Sequence, residues 1–302
     1  MKVTFLGTGG SIPSVNRSVS SAALQYGSDV LLFDCGEGTQ RQLMMSSLSF
    51  MKIKRIFITH FHGDHFLGLP GLIQSMRFSG REDPLYIHGP AGMVELVNGI
   101  ISLGYFAKGF EVWVGELDHG DTVKMDGYSV SAVRVDHSVP ALGYVFQEDE
   151  RPGRFLPGRA KGVGVPEGPL FSRLQRGHSV TVSGREVTPE MVMGPPRRGR
   201  KVVISGDTRP CQNLEEAARG ADLLVHEATL DSSLADKARE FGHSTAEGAA
   251  GLAARAGVRS LFLNHISNRY EEPDLLEEEA RQVFSGAVVA EDLMSVEVTV
   301  PD

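Results

Sequence analysis

The sequence predicts an α/β fold in which sheets and helices form a sandwich with one inserted arm. Three observations point there. Short apolar strand signals alternate with helical runs along most of the 302 residues. The residues able to carry chemistry fall where strands end. A Gly/Pro-rich basic stretch, 151–200, interrupts the alternation and reads as a flexible arm set into a single domain spanning 1–302.

The first strand, 2–6, runs into Gly7-Thr8-Gly9-Gly10-Ser11, where glycines permit close backbone approach and could form a phosphate nest. After a loop at 13–18, strands at 22–26 and 30–34 flank the turn Gly27-Ser28-Asp29. The chain then leaves a strand for a helix through Phe33-Asp34-Cys35-Gly36-Glu37-Gly38-Thr39-Gln40. Asp34 is therefore either an acceptor that orients a metal-bound histidine or a helix-capping aspartate. The apolar run 55–58 reads as a buried strand, and Leu67, Leu69, Leu72, Ile73 and Met76 as one face of a helix. Between them, on the turn, lies Thr59-His60-Phe61-His62-Gly63-Asp64-His65.

That turn holds three histidines and a carboxylate within six residues. Imidazole nitrogen and carboxylate oxygen are common zinc donors, and a structural zinc would more often use a cysteine-rich tetrad. The donors are too many for one ion. His60 and His62 suit one metal, and Asp64 and His65 a second a few ångströms away, the two-metal arrangement of phosphodiester-cleaving enzymes.

Further on, strands are expected at 85–88 and 111–114 with a helix at 93–101 between them. The period-two stretch 128–135 marks a half-buried strand that delivers Asp136-His137-Ser138. His137 is the choice for the third donor to the first metal. Within the arm only 179–182 carries a strand signal, although scattered apolar residues imply some local packing. After it, 201–204 leads to Gly206-Asp207-Thr208, which puts Asp207 where a carboxylate could bridge two metals. A strand at 221–225 ends in His226-Glu227-Ala228-Thr229. Ser244 and Glu247 read as a capping box for a helix to about 255, with His243 just outside its N-terminus, where an anion is favoured. The strand 261–263 ends in Asn264-His265, completing the second metal set. A helix at 273–284 and strands at 287–290 and 295–300 follow. Five of the ten histidines, His60, His62, His65, His137 and His265, thus lie at strand ends and converge on one sandwich edge, whereas His88, His119, His178 and His226 read as structural or surface residues.

The net charge of −8 is unevenly spread. From 151 to 201 there are 11 Lys/Arg and three acids, +8, leaving 19 basic and 35 acidic residues, −16, elsewhere. An acidic body bearing one basic segment suits an anionic partner held locally. With two cysteines, Cys35 and Cys211, free thiols in a reducing compartment are expected. No apolar stretch approaches the ~18 residues of a membrane span and no signal peptide is evident, so a cytoplasmic protein with no membrane contact is expected.

The motif His60-Phe61-His62-Gly63-Asp64-His65, followed in order by His137, Asp207 and His265, resembles the metallo-β-lactamase superfamily. That likeness implies a four-layer αββα sandwich with a dinuclear site at one edge. More narrowly, Phe5-Leu6-Gly7-Thr8-Gly9, the 33–40 stretch, Gly206-Asp207-Thr208-Arg209, His226-Glu227-Ala228-Thr229, His243-Ser244-Thr245 and Asn264-His265-Ile266-Ser267-Asn268-Arg269-Tyr270 resemble the short form of the ribonuclease Z family, the tRNA 3′-processing endonucleases. The resemblance implies that His60, His62 and His137 hold one zinc, that Asp64, His65 and His265 hold another, and that Asp207 bridges them. It further implies Asp64 as proton acceptor for the attacking water, and His243, oriented by Glu227, as donor to the scissile phosphate or leaving oxygen. The substrate it implies is precursor tRNA, gripped by the 151–200 arm as an exosite and cut to leave a 3′-hydroxyl and a 5′-phosphate. In such enzymes one subunit's arm serves the other's active site, which implies a homodimer. One departure stands out: Asn16-Arg17 occurs where many members have the pair reversed. A small-ester hydrolase on the same sandwich would have no use for the arm, and a zinc-stabilised RNA-binding module would have no use for Asp64, Glu227 and His243.

Overall fold

The computed structural model describes residues 1–105 and 109–300. They form two compact units, one comprising 1–147 with 200–300 and the other 148–199.

In chain order the strands of the larger unit are β1 (Lys2–Gly7), β2 (Ser21–Tyr26), β3 (Asp29–Phe33), β4 (Ile53–Phe57), β5 (Leu85–Gly89), β6 (Val112–Glu116), β7 (Thr122–Met125), β8 (Tyr128–Arg134) and β9 (Leu142–Glu148). The smaller unit holds β10 (Val180–Val182) and β11 (Arg185–Val187). The chain then adds β12 (Lys201–Ile204), β13 (Leu223–Glu227), β14 (Leu261–Asn264), β15 (Ala287–Val289) and β16 (Ser295–Glu297). Among the described residues they make two seven-stranded sheets, ordered β16-β1-β2-β3-β4-β5-β6 and β15-β14-β13-β12-β9-β8-β7. The helices that matter below are α1 (Thr39–Met45), α2 (Gly63–Phe66), α3 (Leu69–Phe78), α4 (Met93–Ile101), α8 (Gln212–Ala218), α9 (Ala235–Phe241), α10 (Ala246–Ala256) and α11 (Asp274–Val283).

Three apolar clusters separate four layers. Phe5, Leu31, Phe33 and Phe57 of the first sheet meet Val130, Tyr144, Phe146 and Val225 of the second. Leu32, Ile56 and Ile87 on the first sheet's other face pack on Leu43, Leu72, Met76 and Val97 of α1, α3 and α4. Leu224, Leu261 and Leu263 do the same for the second sheet against Leu214, Leu252 and Leu276 of α8, α10 and α11. Burying each such side chain contributes about 1.5–3 kcal/mol. In α10 the buried positions are mostly Ala249, Ala250, Ala253 and Ala256, which favour helix and let it lie close on the sheet. The four-layer αββα sandwich expected from the resemblance is the fold found.

Several local expectations change. The cap of α10 is Thr245, whose Oγ1 accepts from Gly248 N at 3.0 Å, and not Ser244. Ser244 Oγ instead donates to Thr208 O at 2.6 Å, tying that helix to the strand end after β12. Asp34 caps no helix, since α1 is preceded by Gly38 with φ 83°. The sequence signals did not disclose β7, β9, α8 or α9. Nor did they disclose most of the order within 148–199, where α5 (Pro157–Gly162), α6 (Pro169–Gln175), α7 (Pro189–Val192) and the β10–β11 hairpin enclose Ala160, Val165, Leu174, Val180, Val187 and Val192. Helices of four to seven residues are too short to show a helical period. Both cysteines are free, Cys35 buried and its thiol pushed up by that burial. No helix among the described residues is long and apolar enough to cross a membrane.

Candidate metal centre

β12, β13 and β14 are parallel, so their C-terminal ends lie on one edge and deliver Asp207, Glu227 and His265 together. β9 runs antiparallel to β12, which brings its start, and with it the end of β8 and His137, to the same edge. The first sheet joins there: Leu142 N donates to Thr59 O at 2.9 Å, and the Tyr144 hydroxyl to Ile58 O at 2.7 Å. Past β4 come His60 and His62, two residues apart, with ring centroids 4.7 Å from one another. The single turn of α2 then swings Asp64 and His65 into the same space.

The donors form overlapping groups. One donor atom each from His60, His62, His137 and Asp207 lies within 4.8 Å of the others, as does one each from Asp64, His65 and His265, and one each from Asp207, His243 and His265. His60 Nε2 stands 3.0 Å from His62 Nδ1, which is 3.3 Å from His137 Nε2. Asp207 faces both groups: Oδ2 is 3.7 Å from His60 Nε2 and 3.2 Å from His265 Nε2, and Oδ1 is 3.4 Å from His65 Nε2. Asp64 Oδ2 lies 3.3 Å from His265 Nε2 and 3.6 Å from His65 Nε2.

Four of the five imidazoles, all but His62, are set by their other nitrogen. Asp34 Oδ2 holds His65 Nδ1 at 2.8 Å, while its two oxygens accept from Thr59 N (2.7 Å) and Thr59 Oγ1 (3.0 Å). Thr59 Oγ1 is 3.0 Å from His60 Nδ1, Gly242 O 2.8 Å from His137 Nδ1, and Thr229 Oγ1 2.9 Å from His265 Nδ1. Such partners fix the ring and leave the opposite nitrogen free for a metal. Asp64 is oriented by the Ser11 backbone N–H, 2.8 Å from Oδ2. The Gly7–Ser11 turn therefore holds a carboxylate where a phosphate nest was one expectation. Gly10 is demanded by contact, because a Cβ there would meet the His265 ring at 2.6 Å. Asp34 (φ 59°) and His265 (φ 57°) adopt left-handed backbone conformations, which cost about 1–3 kcal/mol each and cluster at functional sites.

The electrostatics ask for added positive charge. Burial works against ionisation of Asp207, yet the imidazoles of His265 and His65 hold it well below the usual carboxylate range. Burial likewise opposes charge on Asp64, and His265 and His65 outweigh it. His65, despite full burial, is driven well above its ordinary value by Asp207 and Asp34. His60 and His137 are lowered, chiefly by burial, and so favour the neutral ligand form. The His65 Nε2 atom is buried and makes no hydrogen bond. Two nitrogens on one tetrahedral zinc stand about 3.4 Å apart, given Zn–N near 2.0–2.1 Å, and the spacings above match that. The residues fit divalent metal ions, and the edge is a metal-binding site.

His243 stands beside it. Its Nδ1 is 2.9 Å from Glu227 Oε1 and 3.9 Å from Asp207 Oδ2. Burial opposes its charge, but Glu227 prevails and lifts the imidazole to about 9. Glu227 is itself buried, and Thr208 N at 2.8 Å and the Thr229 hydroxyl at 2.8 Å also donate to it. A cleft lined by Ser11, His62, Asp64, Asp207, Phe241, His243 and Arg269 opens over these groups.

All nine residues singled out from the sequence thus meet at one edge. Thr59, Thr229, the Gly242 carbonyl and the Ser11 N–H have no role legible from residue type and spacing. Arg17 faces inward instead of towards a substrate: its guanidinium donates to Thr8 Oγ1 at 2.7 Å and Ala290 O at 2.6 Å. Of the remaining histidines, His88 stacks on Phe57, with ring centroids 5.1 Å apart, and His226 is buried on β13.

A family model described as anti-Pycsar protein Apyc1 matches residues 1–149. The ribonuclease Z of Methanosarcina acetivorans is 50% identical over 299 residues, covering 99% of this chain and 98% of that one. The crystal structure of human tRNase Z, short form, superposes with a TM-score of 0.74 at 31% identity, covering 99% of this chain and 100% of that one. The Bacillus subtilis protein YhfI, described as a metallo-β-lactamase fold protein, gives a TM-score of 0.70 at 20% identity, covering 98% of each, and speaks for the fold alone. On its site geometry and its full-length relatives, the chain belongs to the ribonuclease Z family.

Proposed function

We propose that the protein is a zinc-dependent endoribonuclease that removes the 3′ trailer from precursor tRNA, leaving a 3′-hydroxyl on the tRNA and a 5′-phosphate on the trailer. The observation that carries this reading is Asp207 facing two donor sets at one sheet edge, with the His243–Glu227 pair alongside. His60, His62 and His137 would hold one zinc and Asp64, His65 and His265 a second, with Asp207 bridging. When bound, such a pair lowers the pKa of water from ~16 towards 7 and neutralises charge gathering on the phosphate oxygens.

The chain's own residues supply the rest. Asp64, fixed by the Ser11 N–H, takes the proton of the attacking water. His243, kept protonated by buried Glu227, donates from the cleft to the scissile phosphate or the departing 3′-oxygen. Attack at phosphorus breaks the bond to that oxygen, so the tRNA keeps the hydroxyl and the trailer the phosphate. The basic 148–199 unit grips the tRNA by phosphate and shape contacts, as structured RNA requires. A homodimer that pairs one subunit's arm with the other's site, and a cytoplasmic location alongside the tRNA pool, belong to the same reading.

The test is incubation of zinc-loaded protein with a 3′-extended precursor tRNA, mapping both new ends beside an Asp64→Ala control. A single cut beside the discriminator nucleotide, with the stated ends and absent in the control, is expected. Hydrolysis of small esters without any cut in the precursor would contradict the reading.

A further inference from the structure

Phe241 ends α9 with half of its surface exposed, although a phenylalanine ordinarily buries its ring. It does so on the wall of the cleft that also holds His62, Asp64, Asp207 and His243. Its place is fixed by the backbone. Gly242, in a left-handed conformation with φ 85°, stops the helix, and its carbonyl orients His137. His243 N then bonds back to Ala238 O at 2.8 Å. The ring is thus held two residues from the proton donor, on the same short segment that orients a metal ligand. Lys237, one helical turn back, lines the same cleft and carries its ammonium 5.8 Å from the ring centroid. Arg269 adds a second cation to the wall, against the single exposed acid Glu240.

An exposed aromatic on an anchored backbone, flanked by cations, is the equipment that holds a single-stranded nucleotide, with the base stacked on the ring and its phosphates near the charges. Resting on the RNA-cleaving reading above, we infer that Phe241, with Lys237 beside it, stacks an unpaired base next to the scissile phosphate and so positions the strand for cutting. Phe241 is then a positioning residue, because it acts through the base and not on the reacting atoms.

The experiment compares the zinc-loaded wild type with Phe241→Ala and Phe241→Trp on two substrates, a 3′-extended precursor tRNA and bis(p-nitrophenyl) phosphate, which offers no nucleobase. For Phe241→Ala the loss of kcat/KM on the precursor should exceed the loss on the small phosphodiester by about tenfold or more, and Phe241→Trp should restore most of it. Precursors carrying one abasic nucleotide immediately 5′ or 3′ of the cut identify the base: at one of the two positions the gap between wild type and Phe241→Ala should close. Equal losses on the two substrates, or a gap that persists with both abasic precursors, would overturn the inference while leaving the nuclease reading intact. A wild type that leaves the precursor uncut would overturn both.

Discussion

Asp207 is 2% exposed and within 3.7 Å of three imidazoles from two separate chain segments. A buried carboxylate so placed has a reason if two cations share it. His243, like His65, has its Nδ1 engaged by a buried carboxylate, but His65 is itself buried whereas His243 borders an open cleft. His243→Ala should therefore lower kcat on precursor tRNA by about 10²-fold or more, as loss of a proton donor does, while zinc content measured by atomic emission stays at the wild-type level. Zinc loss in that variant would make His243 a ligand instead. Gly10 tests the other side of the site. Gly10→Ala drives a methyl into the His265 ring, and metal bound per subunit should fall below the wild-type level without a change in circular dichroism. Normal stoichiometry would show that the second set does not depend on His265.

At the scale of elements, the donors come from the ends of β4, β8, β12 and β14, so bound metal ties an edge of one sheet to the edge of the other. Removing it should cost stability as well as activity. At a thousandfold excess over Kd a ligand contributes about 4 kcal/mol, so chelation should lower Tm by about 10 °C, reversibly on adding zinc. An unchanged Tm would mean that the edge is held without metal. What the sequence disclosed follows the same logic. His60 to His65 were legible because side-chain type and spacing carry the signal, and β8 because Tyr128 to Val135 alternates. β9 was not: Leu142, Tyr144 and Phe146 pack between the sheets while Val145 packs on the opposite face, so apolar residues on both faces of a central strand hide the alternation in the sequence. The Ser11 N–H and the Gly242 carbonyl belong to the backbone, which leaves no residue-type signature. The cap at Thr245 was misplaced by one residue because Ser244 and Thr245 offer the same hydroxyl, and the tertiary bond to Thr208 O decides between them.

For the whole molecule, charge and fold divide the labour. The acidic unit of two sheets carries the metal site, and the basic residues concentrate in 148–199, which has its own apolar core and a neck closed by Arg154 O to Gly194 N and Leu156 N to Val192 O, each 2.8 Å. That neck allows the unit to be excised by removing 157–191, because the chain ends it leaves are already neighbours and none of the sandwich's three clusters is touched. The decisive measurement is the rate at which the zinc-loaded full chain and this deletion cut a 3′-extended precursor tRNA, alongside their hydrolysis of bis(p-nitrophenyl) phosphate. The deletion, which removes Arg159, Lys161, Arg173, Arg176 and Arg185 together with the folded surface that presents them, is expected to lose precursor cleavage by about 10²-fold or more, while small-phosphodiester hydrolysis stays within a few-fold. A deletion that processes the precursor as well as the full chain would contradict this.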